Sequence, residues 1–239
     1  RKKYFLELLE SKNKDVREDA WYWVDKLIEH GLFSRDDAKE LLRFLESPED
    51  NVRKRAWKEV GWLVEHSVLT LDEVKERKKY FLELLESKDE RVRLDTWIDA
   101  GGLLQSGVLT LDEVKERKKY FLELLESKNK DVRERAWYRV DWLIDQGVLT
   151  PEDVKEEKRY FLELLESKNK DVRWKAWDKL YRLVERELFT RDDAREFLKF
   201  LESNYEDVRE NAKRVIKELI KRGVLTRVDL LEDGETKAS

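Results

Sequence analysis

Cysteine is absent from the 239 residues, which excludes a disulfide framework and thiol chemistry. Methionine is absent as well. Arg1 aligns with the interior of a repeated helix, so translation is expected to start elsewhere than at Arg1. No run approaches the ~18 apolar residues of a membrane span, and no secretory signal pattern is visible. One-sided charge is missing too. The 51 Lys and Arg stand against 55 Asp and Glu, a net charge of -4 in a chain that is 44% charged. Such mixed charge argues against a polyanion partner. Walker-type loops, GxGxxG turns, Ser/His/Asp triads and zinc-ligand spacings do not occur.

What is present is a repeat. The frame Val-Arg-x-x-Ala/Thr-Trp ends at Trp21, Trp57, Trp97, Trp137 and Trp177, and a sixth copy carries Lys213 in place of the Trp. The spacings are 36, 40, 40, 40 and 36 residues. That period predicts a solenoid of stacked units, each packing on its neighbours, which relaxes the size limit on a single core.

Each unit reads as two helices. Thr70-Leu71-Asp72-Glu73 and Thr110-Leu111-Asp112-Glu113 fit the capping box. Thr150-Pro151 places Pro at the first helical position, and Ser34 and Thr190 open two versions four residues shorter, about one helical turn. The first helix is expected to run on to Ser87, Ser127 or Ser167, with Val74, Phe81, Leu84 and Leu85 on its apolar face. Glu73 and Arg77 stand at i,i+4 as an ion pair. Ser47-Pro48-Glu49-Asp50 is the clearest cap for the second helix, which ends near Gly31, Gly107, Gly147 or Gly223. Thr226-Arg227-Val228-Asp229 caps the start of one more helix, and Gly234 to Ser239 reads as a frayed tail.

The turn, the Val-Arg-x-x-Ala frame and paired antiparallel helices at ~40 residues resemble HEAT repeats. The likeness covers almost the whole chain and is close to engineered, thermostable HEAT-like repeat binders. The chain departs from the common pattern in its constant Trp and in the scarcity of Pro in the first helix. The resemblance implies an all-α, right-handed α-solenoid of about six stacked HEAT-like helical hairpins. A single array spans residues 1–226, in units of about 1–30, 31–66, 67–106, 107–146, 147–186 and 187–222, with a C-terminal tail at 227–239. It also implies protein–protein scaffolding rather than catalysis.

Comparing the repeats with one another separates frame from variable positions. Residues 68–88 and 108–128 are identical over 21 positions, solvent face included. In the second helix the constant residues fill an arc of about 140° at 100° per residue. The constant Trp is expected to pack between repeats, and the constant Arg to tie neighbouring turns together. The outer arc varies, and it is rich in the aromatic and Arg residues that dominate interfaces. Drift would have altered the first helix equally and would favour Lys and Glu. Gly101-Gly102, in mid-helix, costs about 1 kcal/mol per Gly against Ala.

The outer arc therefore predicts a partner-binding face. Its residues are Tyr22, Trp23, Lys26, Lys54, Lys58, Trp62, Leu94, Ile98, Asp99, Gly102, Glu134, Tyr138, Arg139, Trp142, Trp174, Asp178, Tyr181 and Arg182. Trp62, Ile98, Tyr138, Trp142 and Trp174 are expected at its centre, with Lys58, Arg139 and Arg182 as polar contacts. By the HEAT resemblance the second helices line a concave groove. Helices 8–10 Å apart would make it on the order of 50 Å long, enough to bury roughly 800 Å² on a protein or peptide partner.

Other chemistries are weaker. His30 and His66, with Glu29 and Glu65 beside them, fall short of a closed metal site. Some DNA glycosylases are HEAT-like and use exposed Trp and Asp, roles that Trp62, Trp142 and Asp99 could fill. However, Glu18, Asp19, Asp25 and Glu134 lie among Lys26, Lys54, Lys58 and Lys175, and a DNA groove should be strongly basic. The expectation is a non-enzymatic, protein-binding engineered scaffold, with no cofactor, nucleic acid or membrane partner. It would be a soluble monomer, cytoplasmic if natural. A natural hyperthermophile adaptor, whose composition would look the same, and a self-associating array are the alternatives.

Overall fold

A computed structural model describes residues 2–32, 34–186 and 188–226, and every regular element among them is helical. No helix among the described residues is long and apolar enough to cross a membrane. The chain forms two compact units, residues 1–124 and 125–239.

In the first unit, α1 (Lys2–Leu9) packs on α2 (Lys14–Glu29). Next come α3 (Arg35–Lys39) and α4 (Leu42–Leu45), the latter packed on α5 (Asp50–Glu65). Then α6 (Leu71–Lys75) and α7 (Lys78–Leu84) precede α8 (Glu90–Gln105), which packs on both α7 and α5. Last are α9 (Leu111–Lys115) and α10 (Lys118–Leu125), which reaches the division between the units. The second unit holds α11 (Lys130–Trp137), α12 (Val140–Asp145), a 3-10 turn at Glu152–Val154, α13 (Lys158–Leu165), α14 (Lys170–Glu185), α15 (Arg191–Arg195), a 3-10 helix at Glu196–Glu202, and α16 (Glu206–Lys221). Each unit is thus a run of stacked hairpins, the packing mode of an α-solenoid.

The constant Trp works in two directions. Its indole N–H closes its own hairpin by donating to a first-helix carbonyl: Trp57 to Leu45, Trp97 to Leu85, Trp137 to Leu125 and Trp177 to Leu165, at 3.0–3.3 Å. Its ring meets the Phe of the following repeat. The pairs Trp21–Phe44, Trp57–Phe81, Trp97–Phe121, Trp137–Phe161 and Trp177–Phe200 have centroids 5.1–5.7 Å apart. All five Trp side chains are buried, so inter-repeat packing is their role, as the sequence suggests.

The constant Arg is also a frame element. Its Nη1 donates to the Ser carbonyl six residues earlier, at Arg17, Arg53, Arg93, Arg133, Arg173 and Arg209 alike. Several of these guanidinium groups also reach the next repeat, Arg93 to Glu123 at 3.2 Å, Arg133 to Glu163 at 3.1 Å and Arg173 to both Asp207 oxygens. Gly31, Gly107, Gly147 and Gly223 all have positive φ at the ends of second helices. Ser67 occupies the same left-handed position without the freedom of glycine, at φ 58.

Four local expectations are corrected. The first helix is not continuous: it breaks between α6 and α7, and between α9 and α10. Arg77 explains the break. Its backbone N–H turns to Val74 O in a tightened turn, while its guanidinium takes the Glu73 carbonyl at 2.7 Å. Arg117 repeats this at Glu113. The guanidinium pairs with Glu46 at 2.8 Å rather than serving the expected Glu73 ion pair, and the Glu73 side chain closes the capping box with Thr70. The second helix of the fourth repeat also breaks, at Tyr138–Arg139 between α11 and α12. Finally, α5 is capped by Glu49, without a side-chain cap bond, and Ser47 Oγ accepts only from the Glu49 N–H. The tail expected at 227–239, and all but Thr226 of the cap before it, lie outside the described residues.

Candidate interaction surfaces

The outer arc of the second helices contains more mutual pairing than its variability suggests. In the first unit, Arg55 on α5 reaches back to Glu18 on α2 at 2.6 Å and also bonds Glu59. Lys54 on α5 reaches Asp95 on α8 at 2.7 Å. In the second unit, Lys175 lies 3.6 Å from Glu134, Arg186 meets Asp145 at 2.6 Å, and Arg214 donates to the Tyr181 hydroxyl at 2.7 Å. Lys179 meets Asp141 at 2.6 Å with both side chains buried. Burial pushes the Lys179 pKa down, against the pull of Asp141. Variation at these positions is therefore partly lateral complementarity between successive helices, which comparing each position only with its own column cannot reveal.

The predicted face divides accordingly. Leu94 is fully buried and presents nothing to a partner, a correction to its assignment. The 100° wheel puts it outside the core stripe, but a neighbouring helix covers that edge as well. Trp23 lies on the open end of the first unit, where it lines an apolar groove with Phe5, Leu8, Val16, Ala20 and Leu27. Tyr22 is 58% exposed and meets Trp23 edge-on at 5.8 Å. Lys26 pairs with Glu29 at 2.8 Å. Lys58 and Gly102 are exposed, Ile98 and Asp99 half-buried. Half-buried Trp62 stacks on His66 at 4.2 Å, and His30 is exposed. Among the described residues no group of three or more His, Asp or Glu side chains could hold a metal.

In the second unit the predicted residues converge. Tyr138 from α11's C-terminal edge and Trp174, Asp178 and Arg182 from α14 line a depression of about 290 Å³, together with Lys175 and Lys179. Trp174 is 67% exposed. Lys175 and Lys179 each hold their Nζ 5.9 Å from the Tyr138 ring centre. Burial, with the Glu134 and Asp178 carboxylates, holds the Tyr138 hydroxyl above its usual pKa. Half-buried Trp142 carries the Arg139 guanidinium over its ring at 4.9 Å, and Tyr181 carries that of Arg214 at 4.7 Å. Lys175 and Lys179 are not on the face that the sequence predicts, and the fold brings them to the depression beside Trp174, Asp178 and Arg182.

No known protein family matches the chain, and no curated protein matches it. Among solved structures it is similar to Cex1p, with a TM-score of 0.59 and 16% identity over 92% of this chain and 42% of Cex1p. It therefore spans less than half the length of Cex1p. An engineered protein (TM-score 0.40, 15% identity, 89% of this chain and 56% of the other) and the complex of CpcE and CpcF of phycocyanin lyase from Nostoc sp. PCC7120 (0.37, 15%, 89% and 74%) are more distant. At these identities the likeness reaches the fold alone, and that fold is an all-α stack of helical hairpins.

Proposed function

We propose that this protein is a non-enzymatic scaffold that binds a protein or peptide through the outer faces of its second helices. The observation that carries the reading is Trp174, two-thirds exposed, beside Tyr138, Asp178 and Arg182 over one depression. An exposed Trp flanked by Tyr and Arg is the composition that dominates interface energetics. A rigid hairpin stack loses little entropy when it binds.

The same reading takes the chain as an engineered, thermostable repeat binder. The 21-residue identity between residues 68–88 and 108–128 supports a reused framework. Gly61 and Gly102, exposed in mid-helix with open space around them, support positions chosen for something other than helix stability. One observation favours a natural adaptor instead. The matched lateral pairs Arg55–Glu18 and Lys179–Asp141 are what co-adapted neighbours would acquire.

The test compares partner capture from cell extract by the unaltered chain and by Trp174→Ala/Arg182→Ala, read by quantitative mass spectrometry. Both side chains are exposed, so the melting temperature should hold. Loss of a captured protein by roughly tenfold or more supports the face. Equal capture by both chains removes it.

A further inference from the structure

Among the described residues, five of the seven large hydrophobic side chains that remain exposed lie in the first repeat, Tyr4, Leu8, Val16, Tyr22 and Trp23, against Leu32 just beyond it and Trp174 elsewhere. Phe5, Leu8, Val16, Trp23 and Leu27 form one apolar groove of about 420 Å³, in which Asp19 is the only charged lining residue.

Residues 1–18 and 117–134 have the same sequence, Arg-Lys-Lys-Tyr-Phe through Val-Arg-Glu. At the internal copy Phe121, Leu124 and Val132 are fully buried. At the first copy Leu8 is 45% and Val16 37% exposed. One stretch of side chains thus occurs once covered and once open. What covers Phe121 is known: the ring of Trp97, from the preceding repeat, at 5.4 Å. Four other Trp–Phe pairs repeat this joint.

We propose that the open face of α1 and α2 is a docking surface for one further helical hairpin of this same repeat type, which lays its Trp on Phe5. The face continues, in register, an interface the protein already uses five times. A second copy of residues 1–226 does not supply the required surface. Trp21, Trp57, Trp97, Trp137 and Trp177 are all buried against their own following Phe, and exposed Lys213 holds that register on α16.

The chemistry of the docking hairpin is fixed at a second point as well. The residue four after the Trp faces the residue two after the Trp of the following repeat, as Asp141 faces Lys179 at 2.6 Å. At the open face that second residue is Trp23. The docking hairpin therefore needs a small residue four positions after its own Trp. Gly101 has that place in the repeat that covers Phe121.

The test adds a copy of residues 77–116 ahead of Arg1, so that the new junction reproduces the existing Glu116–Arg117 junction. Hydrogen exchange of the α2 amides and binding of a hydrophobic dye are then measured. Docking slows exchange across α2 by tenfold or more and lowers dye fluorescence. Giving the added copy Asp at its Trp97 position abolishes both effects. Leu8→Glu supplies a second readout. It should leave the melting temperature of the unextended chain unchanged and lower that of the extended chain. Unchanged exchange and dye binding, or a Leu8→Glu effect equal in both chains, overturns the proposal. So does a dimer of the unextended chain that Leu8→Glu disperses, because a second copy would then be the occupant.

Discussion

Lys179 and Asp141 form a 2.6 Å ion pair between α14 and α12 with each side chain about nine-tenths buried. Such a pair is costly to break from one side, because the remaining charge stays buried without its counter-charge. Asp141→Leu should therefore destabilise the protein by about 3–5 kcal/mol. Asp141→Leu combined with Lys179→Met should recover most of that loss, since a well-packed apolar pair can replace a buried ion pair. Urea denaturation of the two variants checks both statements. A double variant as weak as the single one would show that the pair does more than neutralise itself.

Ser67 ends α5 in the left-handed region where Gly31, Gly107, Gly147 and Gly223 end other second helices. A side chain with a Cβ is strained there by roughly 1–2 kcal/mol. Ser67→Gly should raise the melting temperature by about 2–4 °C. Gly107→Ser should lower it by a similar amount, and calorimetry reads both.

Asp25 makes stability depend on pH. Burial, with Glu59 and Glu29 against Arg55 and Lys26, raises its pKa from 3.8 to about 6. Between these values the folded chain holds a proton that the unfolded chain has released, so this contribution grows as pH falls from about 6.5 towards 4. Asp25→Asn should raise the melting temperature near pH 7.5 and flatten its slope across that window. An unaltered slope in the variant would assign the titration to another group.

Gly61 and Gly102 are exposed within α5 and α8, and an added Cβ at either meets nothing within 4 Å. Gly61→Ala and Gly102→Ala should each stabilise by about 1 kcal/mol, from helix propensity alone. If Gly102 also lies under a bound partner, Gly102→Ala should weaken binding while it raises the melting point. Titrations of the partner and thermal scans separate the two effects.

The frame of the fold was legible because its signals are local. Thr70 and Glu73 close a box within four residues, and Gly107 and Gly147 mark helix ends by their own conformation. The Trp recurs at a period that only stacking explains. The break after α6 was hidden because Glu73 and Arg77 stand at helical spacing whether the helix continues or not. Only the guanidinium's choice of a carbonyl over a carboxylate distinguishes the two. The candidate face was legible in part. Trp174, Asp178 and Arg182 share an exposed arc by rotation alone, and they do line one depression. Leu94 and Lys179 sit on the edge of that arc, where burial depends on the adjacent helix and on charges about 40 residues away. A helical wheel has no term for either.

Trp57, Trp97, Trp137 and Trp177 each close their own hairpin through the indole N–H and hold the next one through the ring face. Under a stretching force those two attachments would fail in turn, the ring contact at the joint and then the closure inside the hairpin. Each hairpin that peels away would release its own length of chain, roughly 3.5 Å per residue. The 36- and 40-residue spacings would then appear in a single-molecule pulling trace as two step sizes about 14 Å apart.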